Sequence, residues 1–361
     1  MLIAAILIIL FILSIHLVFR SETFGKLPHK DELLRRSKTS IYNGKKFINT
    51  QPTPMKINVV AIWKDFIKNS KIKKKPDFEV PVIKHTIDSF SSQPSDKLRV
   101  IWLGHSSVLI ELDGLRIMVD PVLGLRASPI LWAGVKRLHD TPIPVNGIPH
   151  IDFILLSHNH YDHMDMATIR QFIGKKTKFM VPLGLKQTLL HWGISSGNIV
   201  EMDWNESIII QSMTIIAFPA RHFSGRRLKD RDKTLWCSWG VKGKNGSLFH
   251  SGDSGFFEGY KDIGEEYGPF SLSMIGIGAY NKLWAPIHTF PEEAVNAHQL
   301  IKAEKLLPVH WATFNLALHA YLEPVNKLLK YANSKEVNLI LPQIGEWVDV
   351  ENYIQNAYWW V

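Results

Sequence analysis

A cluster of histidines and carboxylates directly follows a short apolar run, and this pairing limits the possible folds more than any other feature of the chain. Residues 151–156, IDFILL, are apolar, partly β-branched and too few for a helix, which is typical of a buried strand. Residues 157–165, SHNHYDHMD, hold three histidines and two aspartates. The strand therefore places several imidazoles and carboxylates together at one edge of a sheet.

Ionisable side chains at the end of a buried strand are costly to desolvate unless a positive charge compensates for them. The alternative, a polar surface loop that happens to be rich in histidine, does not account for the apolar strand before it. A divalent cation compensates directly, and nitrogen and oxygen ligands without thiolate suit zinc, with iron or manganese as alternatives. The predicted ligands here are His158, His160, Asp162 and His163. Asp165 precedes an amphipathic run and is predicted to cap a helix.

Three further candidate ligands occur where other apolar runs end. His222 follows MTIIAFPA, Asp253 follows SLFHSG and His310 follows LLPV. A lone histidine at a strand end is usually an ordinary polar residue, but three such coincidences beside HxHxDH favour one shared metal site. The chain has one cysteine, Cys237, so an intrachain disulfide and a thiolate cage are both excluded. This cysteine lies in an apolar run.

Strand-like runs dominate from residue 98 onward, and helical patterns follow some of them. LRVIWLG, SSVLIEL and LRIMVDP are predicted strands, and Asp113-Gly114 joins the last two as a hairpin. The other main predictions are helices at 165–174, 290–305 and 321–334 and a closing strand at 337–345. The pattern favours an α/β fold with two mixed β-sheets flanked by helices, a four-layer arrangement.

Several motifs resemble one protein family. HNHYDH (158–163), His222, SGD (251–253) and PVHW (308–311) resemble the metallo-β-lactamase superfamily. Further motifs are similar to the branch that contains N-acyl-phosphatidylethanolamine-hydrolysing phospholipase D and its bacterial relatives: WLGHSSVLIE (102–111), SGDSGF (251–256), IGAY (277–280), PEEAVNAH (291–298), VHWATF (309–314) and YLEP (321–324). The resemblance covers about residues 95–350, with a weaker echo at NGKKFINTQPTP (43–54).

The resemblance implies an αβ/βα sandwich with a dinuclear site, that is, two Zn²⁺ per chain. One metal would take His158, His160 and His222, the other Asp162, His163 and His310, and Asp253 would bridge them. Two cations about 3.5–4 Å apart can generate a bridging hydroxide near neutral pH. Several lactam hydrolases of the superfamily use a cysteine where this chain has Asp253, so phosphodiesters or lactones are favoured over β-lactams. Asp120 and His105 could orient ligand histidines, and the alternative for Asp120 is a structural cap after the strand LRIMV.

Two more residues, with Asp253, make up the predicted catalytic set. His288 matches a histidine that the lipase branch presents to the phosphate; the alternative is a surface histidine that caps the next helix. Tyr161 could donate a hydrogen bond to an oxyanion, or it could only pack beneath the metals. An apolar loop at 122–149, which contains Trp132, could be a lid or binding loop that contacts acyl chains or the bilayer itself. The alternative is a loop packed on the core.

The N-terminus differs from the rest of the chain. Residues 2–19 contain only two polar residues, and as a helix they would extend about 27 Å, close to the thickness of a bilayer core. We predict a transmembrane anchor at 1–19, a basic juxtamembrane and wrapping segment at 20–95 and a hydrolase domain at 96–361. A cleaved signal peptide is the alternative, but no lysine or arginine precedes the run.

Basic residues are concentrated after the apolar run. Residues 20–46 carry eight Lys/Arg and three Asp/Glu, so the positive-inside rule places the catalytic domain in the cytoplasm. A second basic stretch, KDFIKNSKIKKK at 64–75, could lie along an anionic lipid surface or form a solvated, mobile linker. The net charge of +9 would allow nucleic-acid binding, but no nucleic-acid motif accompanies it.

These patterns and the resemblance together predict a membrane-anchored, zinc-dependent hydrolase. The expected activity is that of a phosphodiesterase of phospholipase D type, acting on N-acyl-phosphatidylethanolamine-like lipids through a metal-bridging hydroxide. The alternatives are a lactonase or other small-molecule metallohydrolase, and a non-catalytic binding protein whose fold zinc stabilises. All seven ligand positions are intact, which weighs against the non-catalytic alternative. The expected partners are a phospholipid or other small-molecule ester and a membrane, with no nucleic acid.

Overall fold

The computed structural model describes residues 21–28, 41–54, 59–69, 71–130, 132–355 and 357–360. The predicted anchor at 1–19 lies outside these residues. Within them, no helix has both the length and the apolar character that crossing a bilayer requires. The anchor and the cytoplasmic placement that depends on it therefore stay predictions.

Strands make up the centre of the fold. In chain order they are β1 (Arg99–Gly104), β2 (Ser107–Leu112), β3 (Leu115–Val119), β4 (Arg126–Ala127), β5 (Val135–Lys136), β6 (Phe153–Leu155), β7 (Lys178–Pro182), β8 (Ile199–Met202), β9 (Ser207–Ile210), β10 (Met213–Phe218), β11 (Ser238–Lys242), β12 (Ser247–His250), β13 (Phe270–Gly276), β14 (Ala303–Val309), β15 (Asn338–Leu339) and β16 (Trp347–Asp349). The first sheet has the order β16-β1-β2-β3-β6-β7-β8, and the second has the order β15-β14-β13-β12-β11-β10-β9.

The α-helices of the described chain lie outside these sheets. They are α1 (Val59–Lys68), α2 (Met166–Ile169), α3 (Lys186–His191), α4 (Gly259–Tyr267), α5 (Pro291–Ile301) and α6 (Glu323–Ser334). Helix α5 packs against α4, α6 and β13, while α3 packs beside β8. Both sheets mix parallel and antiparallel pairs: β3, β6, β7 and β8 run parallel, whereas β1, β2 and β3 are antiparallel neighbours.

The main core lies between the two sheets. Alternate side chains of β1 show this, since Val100 and Trp102 belong to the cluster shared with the second sheet, whereas Ile101 and Leu103 pack on the other face with Trp192. Each such side chain contributes about 1.5–3 kcal/mol when it is fully removed from water. Both faces of β1 are therefore buried, as the four-layer arrangement requires.

Local signals placed several elements correctly. Asp113 and Gly114 both have positive φ, 51° and 73°, and they turn β2 into the antiparallel β3. Asp165 caps α2, because its carboxylate accepts hydrogen bonds from the N–H groups of Ala167 and Thr168. These two predictions are confirmed.

Other element boundaries were wrong. The helix predicted to reach residue 305 ends at Ile301, because Lys302 adopts the left-handed conformation (φ 59°) and β14 begins directly afterwards. The closing strand predicted at 337–345 is only β15, since Pro342 and the positive-φ Gly345 follow it. The chain ends its sheet pairing instead with β16, antiparallel to β1.

The described parts of residues 21–95 lie against the rest of the domain. Trp192 Nε1 donates to the Glu22 carbonyl at 2.8 Å, and the Phe47 N–H donates to the Asp232 carbonyl at 2.9 Å. The basic stretch that the sequence suggested as a possible mobile linker begins within helix α1.

The apolar loop at 122–149 packs on the core at its base, as one of the two alternatives predicts, whereas a role as a lid stays a prediction. Val122 and Leu123 are buried, and the buried Arg137 guanidinium donates to the Val122 carbonyl. The hairpin of β4 and β5 projects from this base, and Trp132 at its tip is 77% exposed. The base of the loop is therefore core, and its tip presents an aromatic side chain to the surroundings.

Candidate metal centre

All seven predicted ligands lie at one edge of the two sheets. The segment after β6 carries four of them, and the segments after β10, β12 and β14 carry one each. The structure sorts the seven into two groups of donor atoms, and within each group the atoms lie within 4.8 Å of one another. One group is His158, His160, His222 and Asp253; the other contains Asp162, His163 and His310, joined by His105.

The first group is built from three histidines that face one carboxylate oxygen. His160 Nδ1 lies 2.8 Å from His158 Nε2 and 3.3 Å from His222 Nε2. Asp253 Oδ2 lies 3.8 Å from His158 Nε2 and 3.6 Å from His222 Nε2. Four donors thus surround one point between the sheets.

The second group faces the other oxygen of the same carboxylate. Asp253 Oδ1 lies 3.2 Å from His163 Nε2 and 3.1 Å from His310 Nε2. Asp162 Oδ2 lies 3.6 Å from His163 Nε2 and 3.4 Å from His310 Nε2. Asp253 therefore contributes one oxygen to each group, as expected of a bridging ligand.

The donor atoms fit small divalent cations. Ligand atoms about 2.0–2.1 Å from a tetrahedral ion are about 3.4 Å from one another, close to the separations in both groups. In the described chain the buried His163 Nε2, His310 Nε2 and Asp253 Oδ1 also have no hydrogen-bond partner. Buried polar atoms that converge without partners are costly, and a bound cation satisfies all of them together.

The charges of the second group also call for a cation. Burial alone would lower the pKa of His310, but the carboxylates of Asp253 and Asp162 outweigh burial and raise this pKa to about 9. Burial likewise opposes protonation of His163, yet neighbouring carboxylates raise its pKa well above the ordinary value. The negative charge of these carboxylates, which favours protonation of both rings, would equally favour a bound metal cation.

Neighbouring groups set the orientation of the ligand rings. Asp120 accepts a hydrogen bond from His163 Nδ1 at 2.7 Å and two more from the N–H and Oγ of Ser157. His222 Nδ1 donates to the Ile287 carbonyl at 2.9 Å. Carboxylate and carbonyl oxygens only accept hydrogen bonds, so Nδ1 of His163 and of His222 must carry the proton. Their Nε2 atoms are then left with a free lone pair that can bind a metal ion. His105 Nε2 lies 3.0 Å from Asp162 Oδ2.

The two residues predicted to act on substrate lie in different surroundings. The His288 ring centroid is 5.1 Å from that of His222 and 5.2 Å from that of His310, so it borders both groups. The Tyr161 hydroxyl instead donates to the Arg226 carbonyl at 2.8 Å, and burial raises its pKa to about 12. The hydroxyl thus donates its only proton to a protein carbonyl in this structure, and its role toward a substrate stays a prediction.

Arg226 is a buried residue of this region that sequence patterns did not reveal. Its Nε and Nη2 donate to the Thr23 carbonyl, and its Nη1 donates to the carbonyls of Asn159 (2.7 Å) and Met164 (2.9 Å). The guanidinium also lies 4.0 Å from the Tyr161 ring centroid. One side chain thus holds both ends of the ligand loop and attaches the N-terminal segment to it.

Asn49 is a second such residue, and it contacts a ligand directly. Its Nδ2 donates to the His222 carbonyl at 2.8 Å, while the His222 N–H donates to Asn49 Oδ1 at 3.1 Å. A side-chain amide that pairs with both backbone groups of one residue limits how that residue can move. The segment 41–54 is therefore part of the support of the first donor group.

Asn49→Ala should weaken metal binding by about tenfold, because outer-shell partners of a ligand typically contribute this much to affinity. The measurement is a competition titration of the purified full chain with a metal indicator of known affinity. Asn43→Ala is the matched control, since Asn43 lies in the same segment and its side-chain oxygen accepts from the nearby N–H groups of Lys45 and Lys46. Equal affinities for the two variants would contradict a positioning role for Asn49.

Comparisons with known proteins agree with this geometry. Residues 115–311 match the β-lactamase superfamily domain. An uncharacterized protein of Mycobacterium tuberculosis is 42% identical over 270 residues, which are 74% of this chain and 72% of the relative. A Caenorhabditis elegans protein named N-acyl-phosphatidylethanolamine-hydrolyzing phospholipase D 1 is 37% identical over 277 residues, covering 73% of this chain and 77% of that protein.

The fold has similar solved structures. Igni18, described as a novel metallo hydrolase from the archaeon Ignicoccus hospitalis, aligns with a TM-score of 0.55 at 20% identity over 70% of this chain and 97% of its own. The predicted arrangement of two mixed sheets flanked by helices is confirmed. The family match spans more than half of the chain and includes all seven proposed ligands, whereas His105 lies just before it. The chain therefore belongs to the β-lactamase superfamily and is a metal-dependent hydrolase.

Proposed function

We propose that this hydrolase is a zinc-dependent phosphodiesterase of phospholipase D type that acts on N-acyl-phosphatidylethanolamine-like lipids. One observation carries the proposal: seven buried or half-buried donors form two groups that share Asp253, an arrangement suited to the two-metal cleavage of a phosphodiester. The similarity to the C. elegans protein, whose name states this activity, supports the choice of substrate.

Some residues of the site would bind the metal ions, and others would position the substrate. Bound cations would supply Lewis acidity and lower the pKa of water. His158, His160 and His222 would hold one ion, and Asp162, His163 and His310 the other, with Asp253 shared. Asp120 keeps the His163 ring in place, and the Ile287 carbonyl does the same for His222.

His288 is placed to position the phosphate. Its backbone follows Ile287, whose carbonyl binds His222, so the ring is held next to the first donor group. Burial lowers the pKa of His288 to about 4, so the imidazole is neutral near neutral pH. A neutral ring has one N–H, which can donate to a phosphoryl oxygen or to the departing oxygen.

His288→Ala should lower turnover of phosphodiesters by about 10²-fold, the usual lower range for loss of a group that transfers or donates a proton. Metal content should stay near that of the parent, because the seven proposed ligands remain. His150→Ala, at an exposed histidine, is the matched control and should change neither quantity. Parent-like turnover of His288→Ala on the best diester would show that the proposed role is wrong.

A substrate screen in water enriched in oxygen-18 tests the function itself. The metal-loaded protein is given N-acyl-phosphatidylethanolamine, other phospholipid diesters and lactones. The proposal expects N-acylethanolamine and phosphatidic acid as products. Water would attack phosphorus, so the label should appear in phosphatidic acid and not in the released alcohol. Efficient lactone hydrolysis with inert diesters would favour the lactonase alternative. An unlabelled phosphatidic acid would exclude direct attack by water.

We also propose that residues 1–19 anchor the enzyme to a membrane, with the catalytic domain in the cytoplasm. The basic excess in residues 20–46 supports this orientation. Protease added to intact cells should leave residues 100–350 uncut and should degrade them once the membrane is permeabilised. A mature N-terminus near residue 20 would show that the segment is a cleaved signal peptide.

A further inference from the structure

Helix α1 presents an apolar stripe to its surroundings. Val60, Trp63 and Ile67 are each 62% exposed. At 3.6 residues per turn these three positions fall within about 60° of the helix circumference, so they form one continuous face. A helix on a globular protein ordinarily turns its apolar face to the core, and an exposed apolar stripe indicates a surface that meets something else.

Lysines border this stripe. Lys64 and Lys68 are exposed on the same helix, next to the apolar face. Residues 59–75 contain six lysines and a single acidic residue, Asp65. The Asp65 carboxylate is turned to the protein, where it accepts hydrogen bonds from Asn281 Nδ2 at 2.8 Å and Asn69 Nδ2 at 2.9 Å. The outward surface of α1 is therefore apolar and cationic.

The same contact joins α1 to the chain segment that leads to His288. Asn281 belongs to the segment that continues through Ile287, which binds His222, to His288. A cleft of about 570 Å³ separates α1 from residues 280–283, with Lys64 and Lys68 on its wall. A surface that bound the outer face of α1 would lie close to the segment that carries His288.

We propose that α1 docks on an anionic lipid bilayer. Val60, Trp63 and Ile67 would enter the boundary between headgroups and acyl chains, where tryptophan is favoured, while Lys64 and Lys68 would contact lipid phosphates. A second copy of the chain fits this surface less well, because a symmetric pair would bring the lysines of both helices together. The inference rests on the proposed function in taking the bilayer as the source of substrate, but the binding itself requires no hydrolysis.

Depth-dependent quenching tests the contact in the full chain. Val60→Cys is labelled with an environment-sensitive fluorophore, and Cys237 should not react because it is buried. The protein is reconstituted into phosphatidylcholine vesicles with or without about one third phosphatidylglycerol, with lipids brominated near the headgroup as quenchers. The expected result is several-fold stronger quenching in anionic vesicles, reduced by high salt. Ile209→Cys, at an exposed apolar position of β9, is the control and should not be quenched.

Quenching of the Val60 label no stronger than that of the Ile209 label would overturn the proposal. A change in the fluorescence of the Val60 label with increasing protein concentration, in the absence of lipid, would also overturn it. Such a change would show that a second copy of the chain covers the stripe.

A matched pair of charge substitutions separates docking from catalysis. Ile67→Glu places a carboxylate in the apolar stripe, and Ile209→Glu makes the same change at an exposed isoleucine of β9. Ile67→Glu should lower hydrolysis of a vesicle-bound substrate by about tenfold, because it removes apolar insertion and adds repulsion from anionic lipid. Hydrolysis of a dispersed short-chain diester should be unchanged in both variants. Equal rates of the two variants on vesicles would refute docking and leave the hydrolase function intact. If no diester is hydrolysed but the Val60 label is quenched as expected, only the proposed function is refuted.

Discussion

Asp253→Asn should abolish nearly all turnover and release metal from both donor groups. Each Asp253 oxygen faces a different group, at 3.1–3.2 Å from the nearest nitrogens of the second and 3.6–3.8 Å from those of the first. An asparagine keeps the size but removes the negative charge and offers only one oxygen. The loss of several kcal/mol of cation stabilisation corresponds to about a 10³-fold fall in rate.

Elemental analysis beside the activity assay checks this result. The parent should hold close to two transition-metal ions per chain, and the analysis also distinguishes zinc from iron or manganese. Asp253→Asn should hold less than one. Asp262→Asn, at an exposed position of α4, is the control and should match the parent. A parent that contains no transition metal and is indifferent to a chelator would contradict the metal proposal.

Arg226→Met should destabilise the fold by about 2–4 kcal/mol. The substitution keeps the apolar stem but removes the donors that bind the carbonyls of Thr23, Asn159 and Met164. Each buried carbonyl left without a donor costs about 1–3 kcal/mol. Part of this loss is offset, because burial of the guanidinium is itself unfavourable and lowers the pKa of Arg226 to about 10.

Denaturant unfolding of the purified chain measures this effect, with metal content recorded on the same samples. Arg227→Met is the matched control: this neighbouring arginine is exposed, and its guanidinium donates to the Gly25 carbonyl. The Arg226 variant should also bind metal more weakly, because the loop between Asn159 and Met164 carries three proposed ligands. If Arg226→Met had the same unfolding midpoint as Arg227→Met, the buried contacts of Arg226 would make no net contribution to the free energy of unfolding.

The sequence alone was enough to pick out the seven proposed ligands that the fold brings together, although their metal binding stays a prediction. Each proposed ligand follows an apolar strand, and this signal is local, since it needs only the strand pattern and the residue types after it. The same holds for the hairpin at Asp113-Gly114 and the N-cap at Asp165. Helix α4 and strands β7 and β8 were not predicted. Two glycines within α4 weaken its helical signal, because glycine is a poor helix former.

Only the tertiary structure showed how these donors are arranged and supported. Asn49 and His222 are 173 positions apart, and Arg226 is 203 positions from Thr23. No local pattern links such residues, because their contact exists only after both sheets have packed. The exposure of Val60, Trp63 and Ile67 is of the same kind: helical spacing predicts an apolar face, but what lies against that face is decided by the rest of the fold. Local residue types determined the chemistry available to this protein, whereas packing between distant segments determined which donor atoms meet and which surfaces stay open.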